Sequence, residues 1–288
     1  MGIKHLLLLA TAILLALSCS RTQVELLKPL IVVSIPPQKF FVQKIAGNLV
    51  DVAVMIPAGS SPHVYEPKPL QMAELDRAII YFTIGVEFEK AWLDRLTKTA
   101  RHITIVPTDS GVEKPVLANG LGELKGHAHA GSDPHIWLSP ELVKRQAATM
   151  ELALSAAFPK HAGTFRRNDS LFMIEIIALQ DSIRAILRSR EQRPFMVFHP
   201  SWGCFAAEFN LKQIAIEVQG SEPSPAELRT IIDYARRSGI ATIYAQPQFS
   251  RRSADIIARE IGARVLIADP LAEAWEANLL ACARALVK

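Results

Sequence analysis

Past residue 17 the sequence has no apolar run of transmembrane length, which excludes a bundle of membrane-spanning helices. Cysteine is scarce: Cys19, Cys204 and Cys282 are far apart, so the clustered spacing of a thiolate metal site is absent. There is no HExxH segment, and with it goes the helix-borne zinc site of a metalloprotease. Net charge is small. Lys and Arg total 32 against 28 Asp and Glu, giving +4. The basic pairs Arg166–Arg167, Arg236–Arg237 and Arg251–Arg252 are scattered, so they read as solvated helix faces and not as a nucleic-acid surface.

What is present is apolar and long enough to fold. Half of the 288 residues are hydrophobic, which argues against disorder and leaves room for two lobes. The first nineteen residues read as a signal peptide: Lys4 gives a positive start, Leu6–Leu17 an apolar core, and Ala16-Leu17-Ser18 small residues before Cys19. A cysteine at that place resembles a lipobox, with Ala16 where Leu is usual, and makes Cys19 the candidate lipidation site. The expected location is therefore periplasmic or cell-surface, with a membrane anchor through Cys19. Cys204 and Cys282 could pair in an oxidising compartment or stay as buried thiols; spacing does not decide.

Apolar runs rich in Val and Ile predict strands at Leu30–Ile35, Val50–Ile56, Ala78–Ile84 and His102–Pro107. A second set lies at Phe195–Phe198, Gln213–Val218, Ala241–Ala245 and Arg264–Ile267. Helical stretches alternate with them, such as Gln38–Gly47, Pro69–Arg77, Pro225–Ser238 and Arg252–Ile261. That alternation predicts parallel strands with crossover helices. Between the sets, His161–Ser189 has no Pro and only Gly163, and predicts one long helix. Its apolar residues, among them Leu171, Ile174, Ile177, Ile183, Ile186 and Leu187, suggest that both halves pack on it. The expected fold is α/β: two similar lobes, each a mainly parallel four-stranded sheet with flanking helices, joined by one backbone helix. The expected boundaries are 1–19 for the signal, 29–160 for the first lobe, 161–190 for the helix and 191–288 for the second lobe.

Of eight histidines, His5 leaves with the signal, and His102 and His161 read as structural. His63 stands in Ser61-Pro62-His63-Val64-Tyr65-Glu66-Pro67, after a predicted strand and between prolines that stiffen the loop. His135 stands in Ser132-Asp133-Pro134-His135-Ile136-Trp137. His199 ends a predicted strand and precedes Pro200; Asp269 ends another and precedes Pro270. Strand ends are where open α/β sheets collect ligands. Three imidazoles and a carboxylate suit a borderline-soft divalent cation, although sequence spacing alone cannot join them. Glu66 is a further oxygen donor near His63, and Lys125-Gly126-His127-Ala128-His129 adds His127 and His129 as auxiliary donors.

These stretches occur in order with Val197-Phe198-His199-Pro200-Ser201-Trp202-Gly203, Glu222-Pro223-Ser224-Pro225, Gln246-Pro247-Gln248-Phe249-Ser250 and Ala268-Asp269-Pro270-Leu271. Together, from about Pro29 to the C-terminus, they resemble the cluster A-I (ZnuA/TroA-like) metal receptors of zinc and manganese ABC transporters. The resemblance implies two lobes joined by a long helix and a metal held between them by His63, His135, His199 and Asp269. A histidine at the third position implies Zn2+ as the transported ligand, with Mn2+ second. It further implies a monomer that hands its metal to an ABC permease and performs no catalysis. The competing readings are a secreted zinc hydrolase, which would keep an open zinc position for water, and a metal-binding surface adhesin. One departure from the family pattern is Cys204, where an aromatic is usual.

Overall fold

The protein is described here from a computed structural model covering residues 28–100, 102–116, 131–188, 194–218 and 220–287. The signal segment with Cys19, and the pair His127 and His129, lie outside the described residues.

Two four-stranded parallel sheets carry the fold. The first joins β1 (Leu30–Val33), β2 (Asp51–Val54), β3 (Ile80–Thr83) and β4 (Thr104–Pro107) in the order β2-β1-β3-β4. The second joins β5 (Pro194–Val197), β6 (Lys212–Ala215), β7 (Thr242–Ala245) and β8 (Arg264–Ile267) in the order β6-β5-β7-β8. The central strands are buried and largely apolar, LIVV in β1 and TIYA in β7, because helices cover both faces of a parallel sheet. In both sheets the chain leaves the first strand to one side and returns to the other. The carboxyl ends of those neighbouring strands therefore flank a switch point, where ligands of such sheets bind.

The helices are α1 (Pro36–Ala46), α2 (Pro69–Arg77), α3 (Glu87–Thr99), α4 (Pro140–Ala157), α5 (Ala162–Leu187), α6 (Gly203–Glu208), α7 (Pro225–Arg237), α8 (Arg252–Ile261) and α9 (Trp275–Val287). Pro opens α1, α2, α4 and α7, where the missing N–H costs no helical bond. Ser224 and Glu227 cap α7 reciprocally, and α8 ends on Gly262 in the left-handed region at φ 73°. The strands are shorter than the apolar runs predict, since pairing stops before the loop residues that stay buried beyond them.

Helix α5 has 26 residues and a length of about 39 Å. It packs on α1, α4 and α9. Its buried face is Phe165, Phe172, Ile176, Leu179, Ile183 and Leu187. Here the structure corrects the sequence reading: Leu171, Ile174 and Ile177 point to solvent. They satisfied an apolar count without lying on the packed face. The C-terminal helix α9 packs back on the first lobe, with Trp275 edge-on to Phe41 at 5.1 Å and Lys39 paired with Glu273 at 2.9 Å. One apolar core runs from the first sheet through α5 to Trp202, Tyr244 and Trp275, and a smaller one lies under α7 and α8. Cys204 and Cys282 are both free and buried, which closes the question of their pairing.

Candidate metal centre

Most of the chemistry-bearing side chains sit past carboxyl ends of strands. His63 follows β2, Glu87 follows β3 at the first turn of α3, His199 follows β5, and Asp269 follows β8. His135 stands just before a short 3-10 turn, Ile136–Leu138. The fold brings His63, His135 and His199 into one cavity between the lobes, walled also by Glu87, Trp137 and Phe249. Its volume of about 20 Å³ has room for one water-sized guest.

Each imidazole is held at Nδ1 by a carboxylate. Asp133 Oδ1 lies 2.7 Å from His135 Nδ1 and also accepts the backbone N–H of His135 at 2.9 Å. Glu217 Oε1 lies 3.0 Å from His199 Nδ1, and Glu87 Oε2 lies 3.3 Å from His63 Nδ1. With Nδ1 engaged, Nε2 is the nitrogen left to coordinate, which is the arrangement of carboxylate–histidine–metal triads. The Nε2 atoms of His63 and His199 are 3.1 Å apart. Two nitrogens on a tetrahedral zinc at its usual bond length stand about 3.3 Å apart. The His135 and His199 rings are 5.3 Å apart, centre to centre. Donor type and spacing therefore fit a divalent zinc-like ion.

The backbone around His199 is fixed from β7. Gln246 accepts the His199 N–H at 3.2 Å and donates to its carbonyl at 2.6 Å. Phe249 stacks on the His199 ring at 5.0 Å and 25°. Burial lowers the His199 pKa, and Glu217 only partly offsets it. At His63 the bond to Glu87 wins over burial and raises the pKa, while His63 holds the Glu87 carboxyl down to about 2.

Two of the sequence candidates stand apart. Asp269 does not line the cavity; its Oδ1 accepts Gln248 Nε2 at 2.8 Å and the Leu271 N–H at 3.0 Å. Its neighbours Gln248, Pro270 and Leu271 do line it. Glu66 is exposed and outside the wall, and the carboxylate against His63 is that of Glu87. Among the described residues no three His, Cys, Asp or Glu side chains form a finished coordination shell. The convergence is therefore of two nitrogens at contact distance and a third ring beside them. Cys204 lies beside Asp133 and outside the cavity wall; burial first, then that carboxylate, push its thiol up.

Sequence reasoning missed the roles of Glu87, Glu217, Gln246 and Phe249. Only the last two stood in a quoted motif. Asp133, two residues before His135, carried a local signal, because an Asx side chain commonly bonds backbone two residues on. Gly203, at the start of α6, faces the same carboxylate. A Cβ there would collide with Asp133 Oδ2, a buried atom with no hydrogen-bond partner among the described residues.

Residues 31–286 match the family described as zinc-uptake complex component A, periplasmic, ZnuA. The zinc-binding lipoprotein AdcA of Streptococcus pneumoniae is 28% identical over 274 residues, covering 92% of this chain and 54% of AdcA. The chain thus spans about half the length of the curated relatives it first matches. A crystal structure of ZnuA is 41% identical, with a TM-score of 0.82 over 89% of this chain and 97% of that one. The Zn(II)-bound ZnuA-like domain of Streptococcus pneumoniae AdcA is 25% identical, with a TM-score of 0.72 over 91% and 100% of the two chains. The family match runs from the first strand into the last helix, and the chain belongs to the ZnuA family.

Proposed function

We propose that this protein is an extracytoplasmic receptor that captures Zn2+ between its lobes and delivers it to an ABC permease. His63, His135 and His199 are the nitrogen ligands, and Asp269 is the fourth once its carboxylate leaves Gln248. The observation that carries the reading is the set of three imidazoles, each with Nδ1 held by a carboxylate, around one cavity. Those carboxylates fix the tautomer and ring orientation and make Nε2 a better donor. An imidazole-rich set favours Zn2+ over Mn2+, which prefers oxygen. Docking on the permease would shift the lobes and loosen the shell. The protein binds and releases without turnover.

The names of its relatives support zinc as cargo: AdcA is called a zinc-binding lipoprotein, and one of the structural neighbours is a zinc-bound ZnuA deletion mutant. The lipoprotein name also supports acylation at Cys19, which detergent partitioning of wild type and Cys19→Ala protein tests. For the metal, titration against a chromophoric zinc chelator should give one zinc per chain. His199→Ala should weaken binding at least a hundredfold, because a tetrahedral shell loses a ligand that water replaces poorly. Unchanged affinity in that variant would remove His199 from the site and the reading with it.

A further inference from the structure

Gln248 follows β7 and Asp269 follows β8, neighbouring strands whose register sets Ala245 beside Ile267. Just past those ends the two side chains meet, and Gln248 Nε2 donates to Asp269 Oδ1 at 2.8 Å. The Leu271 N–H donates to the same oxygen at 3.0 Å. Of the pair, only Gln248 lines the metal cavity, so the amide holds the carboxylate back from it.

The backbone around the carboxylate is fixed. Asn278 Nδ2 on α9 donates to the Asp269 carbonyl at 2.8 Å, and Trp137 Nε1 donates to the Pro270 carbonyl at 2.6 Å. Reaching the cavity is therefore a rotation of one side chain between rotamers and not a movement of the loop. Gln248 is half-buried, and its Oε1 is buried with no hydrogen-bond partner among the described residues. When Asp269 departs, the Nε2 end of the amide loses its acceptor too. A donor stranded in this way draws the carboxylate back. A methionine would fill the same space and leave no buried oxygen unpaired, so packing does not call for an amide at this position.

We propose that Gln248 is a release latch, a positioning residue that competes with the metal for Asp269 and shortens the time zinc stays bound. The proposal rests on the reading of Asp269 as the fourth ligand. Asp269 then has two resting places, the ion and the Gln248 amide, and each exchange between them adds or removes one ligand. Latch and carboxylate stand on one sheet, whereas His63 and His135 come from the first lobe. As the lobes part, the two first-lobe nitrogens leave while Gln248 stays within reach of Asp269. The carboxylate returns to the amide, and zinc is left on His199 alone. Because the latch stabilises the metal-free arrangement only, it lowers affinity. It does so through the dissociation rate, since the ion meets the histidines before Asp269 turns.

Stopped-flow zinc release into excess chelator, on the full chain, tests this. Gln248→Met should slow release about tenfold, in line with the loss of a hydrogen bond to a charged acceptor, with the association rate within about twofold of wild type. Gln248→Leu should do the same, so a folding defect in one variant does not decide the matter. Asp269→Ala should release zinc faster than wild type. Adding Gln248→Met to it should change nothing, because the latch then has nothing to hold. Release at the wild-type rate or faster in the Gln248 variants overturns the proposal. So does equal slowing in the Asp269→Ala background, or tighter binding that comes from faster association alone. If Asp269→Ala binds and releases zinc as wild type does, Asp269 is no ligand, and that assignment falls together with the latch. If Asp269→Ala weakens binding and the Gln248 variants match wild type, the latch falls alone.

Discussion

His63 and His199 are two imidazoles at contact distance with opposite pKa shifts. The bond to Glu87 raises that of His63, and burial lowers that of His199. If both coordinate as proposed, a proton must leave each Nε2 before metal binds, so a raised pKa means competition that starts at higher pH. On acidification His63 should take up its proton before His199 does. Competition titrations from pH 8 to 5 should show affinity falling gently at first, then by more than tenfold per unit below about pH 6. A flat profile would point to oxygen ligands. Glu87→Gln should weaken zinc binding some tenfold, in the range seen when an outer-shell partner is removed, whereas Glu66→Gln should leave it unchanged. The three histidines stood out in the sequence because each sits beside a proline, His63 and His199 after strand-like runs and His135 in a loop, but spacing alone could not bring them together. Glu87 and Glu217 were not, since they come from other strand ends and only the closed sheet sets them behind the rings.

Helix α5 shows the same limit at the next scale. Its length was readable from the absence of Pro. Its packed face was not, because Ile174 and Ile177 are as apolar as Ile176 and Ile183, and only the neighbouring helices choose between them. A charged residue on this helix also works against the fold. Asp169 has its pKa raised to about 6, by burial first and then by Glu151 on α4, and its Oδ1 has no hydrogen-bond partner among the described residues. A folded pKa above the unfolded value of 3.8 means that the native state holds the proton more tightly. Stability from this group is thus full below about pH 4 and lost as pH rises through 6. Asp169→Asn should stabilise the protein at pH 7.5 by about 1 kcal/mol, allowing for partial exposure, and shift Tm by a few degrees. Melts at pH 4 should show no gain; an equal gain at both pH values would reject the account.

In the whole molecule the lobes meet along a seam that runs through the turn carrying His135. Trp137 Nε1 donates to the Pro270 carbonyl at 2.6 Å, and Trp275 Nε1 donates to the Trp137 carbonyl at 2.6 Å. At the start of α4, Ser139 and the Glu141 N–H both bond Glu208 of α6. Asp133 aims His135, and side chains from the second half, Trp275 and Glu208, bond the segment that follows it. Trp137→Phe keeps the ring and strands a buried carbonyl, so it should cost about 1–3 kcal/mol of stability. Trp137→Phe should also speed zinc release in stopped-flow chelator exchange, because the turn bearing His135 loosens. A lower melting temperature without faster release would confine the indole to folding. The seam also has a position where nothing larger than hydrogen fits. Gly203 backs the carboxylate that aims His135, so Gly203→Ala should push Asp133 aside and blunt the metal site while every ligand stays in place. A family member that keeps all three histidines but bears a bulkier residue here would pass any test of ligand identity and still be a poor receptor. If Gly203→Ala weakens zinc binding with every histidine in place, ligand lists alone will not identify which relatives are zinc carriers, and the backing glycine has to be read with them.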